Sequence, residues 1–412
     1  MRILSLRRKL LALALLCAAG WPFALAQPRP AVVPATGNEG FAKLLPRPSD
    51  ASMGSNLQHS LRLLAGLRCE GNRPVRVLFY GQSITEQGWW KTLTKYLEMS
   101  YPGTPLVIEN RAIGGHASDR LVKTAEADLY SFNPDLVIFH VYGSHKSYES
   151  IIRRVRERTT ADVMIATDHI VDDEELTEET DSKTLRLWRW TRWASWLWGG
   201  HNSLTWAAWT NYAFLPAISN EYGVELVDVR TSWKEYLKQN NLKAHELLAD
   251  SVHLNTQGEY LMAEILKRYL SPARLKVRAC AYDRARELLA GRDFSIENDH
   301  ILLRFEGNRA ELVLGHAANG PIEIRVDGHL PTEDRLGYSF TRASAYPTST
   351  WPVLLQLHFG PTQPIAESWT AKIIEANDSL TTFKFSVAGS VTGPDGLGYR
   401  RSRSFQIRVE SR

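Results

Sequence analysis

Two short motifs far apart in the chain hold the residue types that acyl transfer needs. Gly81-Gln82-Ser83 closes the apolar run 75–80, and Asp250-Ser-Val-His253 stands just ahead of another helical pattern. A serine hydroxyl attacks an ester only if a base takes its proton. The imidazolium that results needs an anion beside it, and the tetrahedral intermediate needs fixed donors for its oxyanion. Ser83 can attack, His253 can take and return the proton, and Asp250 can hold the imidazole in the useful tautomer. The glycine before the serine permits the sharp turn that exposes a nucleophile, although the same residues also suit an ordinary turn between a strand and a helix.

Such a serine must be delivered by a strand and followed by a helix. The run 75–80 is rich in β-branched and aromatic residues, and Trp89, Trp90, Leu93, Tyr96 and Leu97 then recur at helical spacing. Further apolar runs at 106–110, 136–142, 163–167 and 224–229 alternate with helical patterns at 118–130, 148–158 and 212–222. This alternation predicts an α/β domain with a parallel sheet covered on both faces, its reactive loops beyond the carboxyl ends of the strands. From about residue 295 the pattern changes to short alternating runs at 301–305, 310–314, 322–326, 353–359, 369–374, 382–387 and 405–409. Turn residues such as Asp327-Gly328 and Gly393-Pro-Asp-Gly396 separate them, which predicts a C-terminal antiparallel β-sandwich. A short helix over 282–289 would connect the two regions.

With these motifs in place, residues 75–270 resemble the SGNH hydrolases, also called the GDSL esterase family. The resemblance implies a flavodoxin-like three-layer αβα domain and ester hydrolysis through an acyl-Ser83 intermediate, with no metal and no cofactor. It also implies an oxyanion hole made by the serine amide, a glycine amide of a second block and an asparagine side chain of a third. Asn110-Arg-Ala-Ile-Gly-Gly-His-Ala-Ser118 matches the second block and puts Gly115 on the expected glycine. The third block departs from Gly-x-Asn-Asp: it reads Gly143-Ser144-His145-Lys146, with His145 at the asparagine position. An imidazole can donate from either ring nitrogen, depending on tautomer; otherwise His145 binds substrate or is structural, and the hole has two donors.

The first block departs as well, with Gln82 where the family usually has aspartate. That aspartate is not the triad acid, so the chemistry survives the change. Some carbohydrate acetylesterases of the superfamily carry Gly-Gln-Ser, which points to an O-acetyl group on a small-molecule or polysaccharide substrate. Gln82, His116, Trp193 and Trp196 are the expected substrate contacts. Transfer of acetyl to a polysaccharide, lipid ester hydrolysis, and glycan binding by a degenerate hydrolase are the alternatives.

Seven of the 13 tryptophans fall within the insertion 186–209. Their indoles can stack on sugar rings. With Arg186, Arg189 and Arg192 the segment can instead make a peripheral contact with a membrane interface, or it can pack as a helical hairpin on the domain.

Residues 1–26 read as an export signal, with Arg2, Arg7, Arg8 and Lys9 ahead of an apolar run and small residues before Gln27. The protein is therefore expected in the periplasm or outside the cell, the alternative being an uncleaved N-terminal anchor. Those four basic residues account for the formal charge of +4. The remaining chain is near neutral and exerts no long-range pull on nucleic acid. After export, Cys69 and Cys280 can form a disulfide, or remain as two buried thiols. Residues 27–60 read as a linker or surface strap, 61–280 as the hydrolase domain, and 281–412 as the accessory β-sandwich. His116, His140, His169 and His201 fit no tight zinc spacing, and no phosphate-binding glycine loop or dinucleotide fingerprint occurs.

Overall fold

Five short runs of β-branched and aromatic residues form one parallel sheet in the computed structural model of the chain. They are β1 (Val75–Gly81), β2 (Leu106–Asn110), β3 (Leu136–His140), β4 (Asp162–Ala166) and β5 (Glu225–Val227), paired in the order β2-β1-β3-β4-β5. Every pairing is parallel, and the order is the flavodoxin-like one. All residues of β3 and β4 are buried. That explains the apolar stretches Leu136–Phe139 and Val163–Ala166 within them: a sheet covered on both faces has no polar side to alternate with.

The structure describes residues 40–44, 52–69, 73–177 and 203–276, and shorter stretches between 279 and 400. The expected export signal 1–26, most of the tryptophan-rich insertion and most of the expected helix 282–289 lie outside the described residues. The chain divides into two compact units, one of Pro28–Leu121 with Phe132–Phe305 and the other of Val122–Ser131 with the described residues from Glu306 onward.

Helices along the described chain are α1 (Gln58–Leu64), α2 (Ser83–Glu86), α3 (Trp89–Ser100), α4 (Ser118–Ala125), α5 (His145–Arg158), α6 (Ser203–Trp209), α7 (Leu215–Tyr222), α8 (Val229–Gln239) and α9 (Thr256–Tyr269). In α3 the buried residues Trp89, Leu93 and Leu97 recur every four positions and form one stripe. Each such side chain contributes roughly 1.5–3 kcal/mol of burial. They share a core cluster with Val75, Val77 and Phe79 of β1 and with Leu261, Ile265 and Leu266 of α9. On the other face of the sheet, Tyr80 stacks on Phe139, whose ring lies 4.7 Å from that of Tyr148 in α5.

The expected helices 118–130 and 212–222 are interrupted. α4 passes into a π-helical turn at Glu126–Tyr130, and the turn Thr210–Phe214 links α6 to α7. Periodicity does not reveal the extra residue that such a turn accommodates. Residues 55–60, placed by composition at the end of a linker, are helical, and Leu57 and Leu61 are fully buried. Here the backbone amides of Gly54 and Asn56 donate to the Glu225 carboxylate at 2.7 and 2.9 Å. Cys69 and Cys280 are joined as a disulfide.

In the second unit, the described residues from Glu306 onward are antiparallel β. Its strands are β6 (Ser339–Phe340), β7 (Ser344–Ala345), β8 (Pro352–Leu354), β9 (Leu357–His358), β10 (Trp369–Ala376), β11 (Phe383–Gly389) and β12 (Gly393–Arg400). β10, β11 and β12 form a three-stranded sheet, and β6-β9 and β7-β8 form separate pairs. Phe383, Phe385 and Val387 alternate into one buried face of β11. Two expected strands are corrected: 301–305 is not a strand and exposes 78% of Leu302, and 322–326 makes only the single bridge Val326 to His329. Alternation supplies a face to bury, and a strand also needs a partner. The expected turn at Gly393-Pro-Asp-Gly396 instead opens β12, an edge strand where proline costs no inner ladder bond. The expected runs 310–314 and 405–409 lie largely or wholly outside the described residues.

Candidate active site

At the end of β1 the chain must leave the sheet while still touching β3. A Cβ on Gly81 would collide with the His140 carbonyl and the Thr85 hydroxyl, so the backbone closes here only as glycine. Gln82 then takes an extended conformation as the N-cap of α2, and Ser83 is the first helical residue. The serine is held by its own strand and helix.

The loop after β2 runs alongside that turn. Arg111 and Ile113 donate their amides to the carbonyls of Phe79 and Gly81 at 2.9 and 3.0 Å, carrying the β2 ladder onward. The Asn110 side chain donates to the Thr85 carbonyl at 2.8 Å and accepts from the Ala112 amide at 2.9 Å, which ties α2 to this loop. Gly114-Gly115 is thereby brought beside the serine: a Cβ on Gly114 would sit 3.8 Å from Ser83 Cβ. Gly115 has φ 69°, in the left-handed region that favours glycine. The loop after β3 is joined in turn, since Ser118 donates its amide to Tyr142 and its hydroxyl to the Ser144 carbonyl at 2.8 and 2.7 Å.

His253 reaches this assembly from the other end of the unit. Its Nε2 lies 2.9 Å from Ser83 Oγ, and its Nδ1 lies 2.7 Å from Asp250 Oδ2. The other oxygen of Asp250 accepts the amides of Val252 and His253 at 2.8 and 2.7 Å. These bonds, the His253 amide foremost, then the Val252 amide and the imidazole, hold the Asp250 carboxyl at about 2. An ionised carboxylate on Nδ1 keeps a proton there, which leaves Nε2 as the acceptor for the serine hydroxyl. The pair is open to solvent, with 36% of the His253 side chain exposed. The arrangement can remove a proton from Ser83 and return it.

Gln82 is buried next to the serine, its Oε1 3.3 Å from Ser83 Oγ. His116 is buried, with Nδ1 3.2 Å from the Gly114 carbonyl, and burial lowers its pKa. His145 is the first residue of α5; its Nε2 lies 2.8 Å from Thr210 Oγ1, and its ring stacks on Trp206 and sits 4.4 Å from Phe214. That nitrogen is thus engaged by the π-turn Thr210–Phe214. Trp193 and Trp196 lie outside the described residues. Asn110 was legible only as the start of a matching block; its side-chain amide, bonded to α2 and to the loop that follows β2, carries no sequence signal of its own.

No family model matches the chain, and no curated protein matches it. Among solved structures, the chain is similar to Axe2, an acetylxylan esterase from Geobacillus stearothermophilus, at 17% identity and TM-score 0.37, over 48% of this chain and 96% of that one. It is also similar to a two-domain esterase (CEX) active on acetylated mannans, at 17% identity and TM-score 0.40, over 55% of each chain. At such values the chemistry of this site rests on its own geometry.

Proposed function

We propose that the protein is an exported serine hydrolase of the SGNH type that cleaves an ester, an O-acetyl group on a carbohydrate, through an acyl-Ser83 intermediate. The observation that carries this reading is the continuous line Ser83 Oγ, His253 Nε2, His253 Nδ1, Asp250 Oδ2 at 2.9 and 2.7 Å.

In this mechanism Ser83 Oγ attacks the ester carbonyl carbon while its proton passes to His253 Nε2. Asp250 stabilises the imidazolium, and the backbone amides of Ser83 and Gly115 receive the oxyanion. Collapse breaks the carbon–oxygen bond to the alcohol, which takes the proton back from His253. Water, deprotonated by the same imidazole, then releases acetate. Gln82 in place of the family's aspartate supports the carbohydrate assignment. The leader-like N-terminus and the Cys69–Cys280 disulfide support export, since disulfides persist in oxidising compartments.

The test is acetate release from an aryl acetate and from acetylated xylan by the mature protein, Ser83→Ala and His253→Ala. Turnover in the parent and loss in both variants is expected; a folded parent that turns over neither substrate defeats the proposal.

A further inference from the structure

Ser83 and His253 sit on separate elements 170 residues apart in sequence. Their register must come from the groups that grip the loop around His253, and two side chains with no part in the chemistry do so from opposite sides.

Gln87 immediately follows α2, and its amide closes that helix onto the Ser83 carbonyl at 3.1 Å. Its side chain donates Nε2–H to the Leu254 carbonyl at 2.8 Å and accepts the Leu254 amide on Oε1 at 3.0 Å. Both polar ends of one side-chain amide are therefore spent on the residue directly after His253. A single hydrogen bond would leave a hinge, whereas two bonds to one residue's N–H and C=O fix distance and tilt together, as a strand partner does. On the other side, His169 Nε2 lies 2.8 Å from the carbonyl of Val252, the residue directly before His253. A carbonyl only accepts, so the His169 proton resides on Nε2. Burial holds the pKa of His169 at about 3, so this donor persists at neutral pH. His169 is itself held through its neighbour: Asn211 accepts the Asp168 amide at 2.7 Å and donates to its carboxylate at 3.0 Å.

Resting on the reading of Ser83 as nucleophile and His253 as base, we propose that Gln87 is a positioning residue that locks His253 in register with Ser83, with His169 as the second hold. One grip comes from the nucleophile's own helix turn and the other from the carboxyl end of the sheet. The base therefore follows the nucleophile as the structure fluctuates. A displacement of about 1 Å between reacting groups costs on the order of 10²-fold in rate.

The experiment uses the full mature chain with Gln87→Met, which keeps length and removes both hydrogen bonds, and Gln87→Glu, which keeps the acceptor for the Leu254 amide. Turnover of an aryl acetate is measured beside the melting temperature and the downfield proton signal of His253 Nδ1–H. The methionine variant is expected to lose about 10- to 100-fold in kcat with KM within about twofold, and to shift or lose the proton signal. The glutamate variant falls between it and the parent. A folded methionine variant with unchanged kcat and signal, or with only a lower melting temperature, overturns the proposal. Should that variant not fold, His169→Leu, which removes the donor to the Val252 carbonyl, is expected to lower kcat with KM within about twofold and to shift the proton signal; a folded His169→Leu protein with unchanged kcat and signal overturns the proposal. The proton signal reads the hold without any turnover. If it changes in Gln87→Met while the parent is inactive on esters, the proposed function fails and the positioning stands.

Discussion

His253 Nε2 approaches Ser83 Oγ to 2.9 Å, and His253 Nδ1 faces a carboxylate that three hydrogen bonds keep ionised. The hydroxyl thus meets a neutral nitrogen lone pair whose protonated form is already provided with a counter-charge. Two consequences of this relationship, and two of the surrounding fold, can be measured.

Serine and histidine act as one unit in this geometry, so their removals do not add. Ser83→Ala and His253→Ala are each expected to lower kcat by about 10⁴-fold or more, and the double variant to be no slower than the worse single one. Steady-state kinetics on an aryl acetate checks this. Additive losses would mean that the two residues act separately.

Asp250 has a depressed pKa, so its charge is present above about pH 2 and is lost only as pH falls through that value. The carboxylate is therefore charged throughout the neutral range and holds the imidazole in one tautomer. Asp250→Asn should cut kcat by up to about 10⁴-fold by favouring the wrong tautomer. Steady-state kinetics of both proteins at neutral pH decides it.

His169 titrates in the opposite sense. Burial lowers its folded pKa from 6.5 to about 3, so the unfolded chain takes up this proton first as pH falls. The His169 contribution to stability is therefore complete above pH 6.5 and declines from there to about pH 3. Denaturation midpoints across this range should fall less steeply in His169→Gln than in the parent. Parallel curves would count against a buried neutral imidazole.

The disulfide between Cys69 and Cys280 closes a sequence separation of 211. Cross-links of this kind restrict the unfolded chain, so replacing both cysteines by serine should cost about 2–5 kcal/mol in chemical denaturation. A reductant should produce the same loss in the parent and no further loss in the variant.

What the sequence by itself determined is local or strongly periodic. The runs 75–80, 106–110, 136–142, 163–167 and 224–229 all become strands of one parallel sheet, and the apolar stretches Leu136–Phe139 and Val163–Ala166 are legible because strands buried on both faces have no polar side to alternate with. The contact between Asp250 and His253 was legible because a spacing of three residues confines it within one loop. Tertiary structure alone decided the partners that lie far apart in the chain. Nothing in the residue types around Gln87 marks Leu254 as its partner, and nothing marks Thr210 for His145 or burial for His116. Gly393-Pro-Asp-Gly396 reads locally as a turn and becomes an edge strand because β11 supplies its ladder. The reason is geometric: neighbours in sequence have their separation limited by the backbone, whereas groups from different loops meet only after strand order has placed those loops on one edge of the sheet.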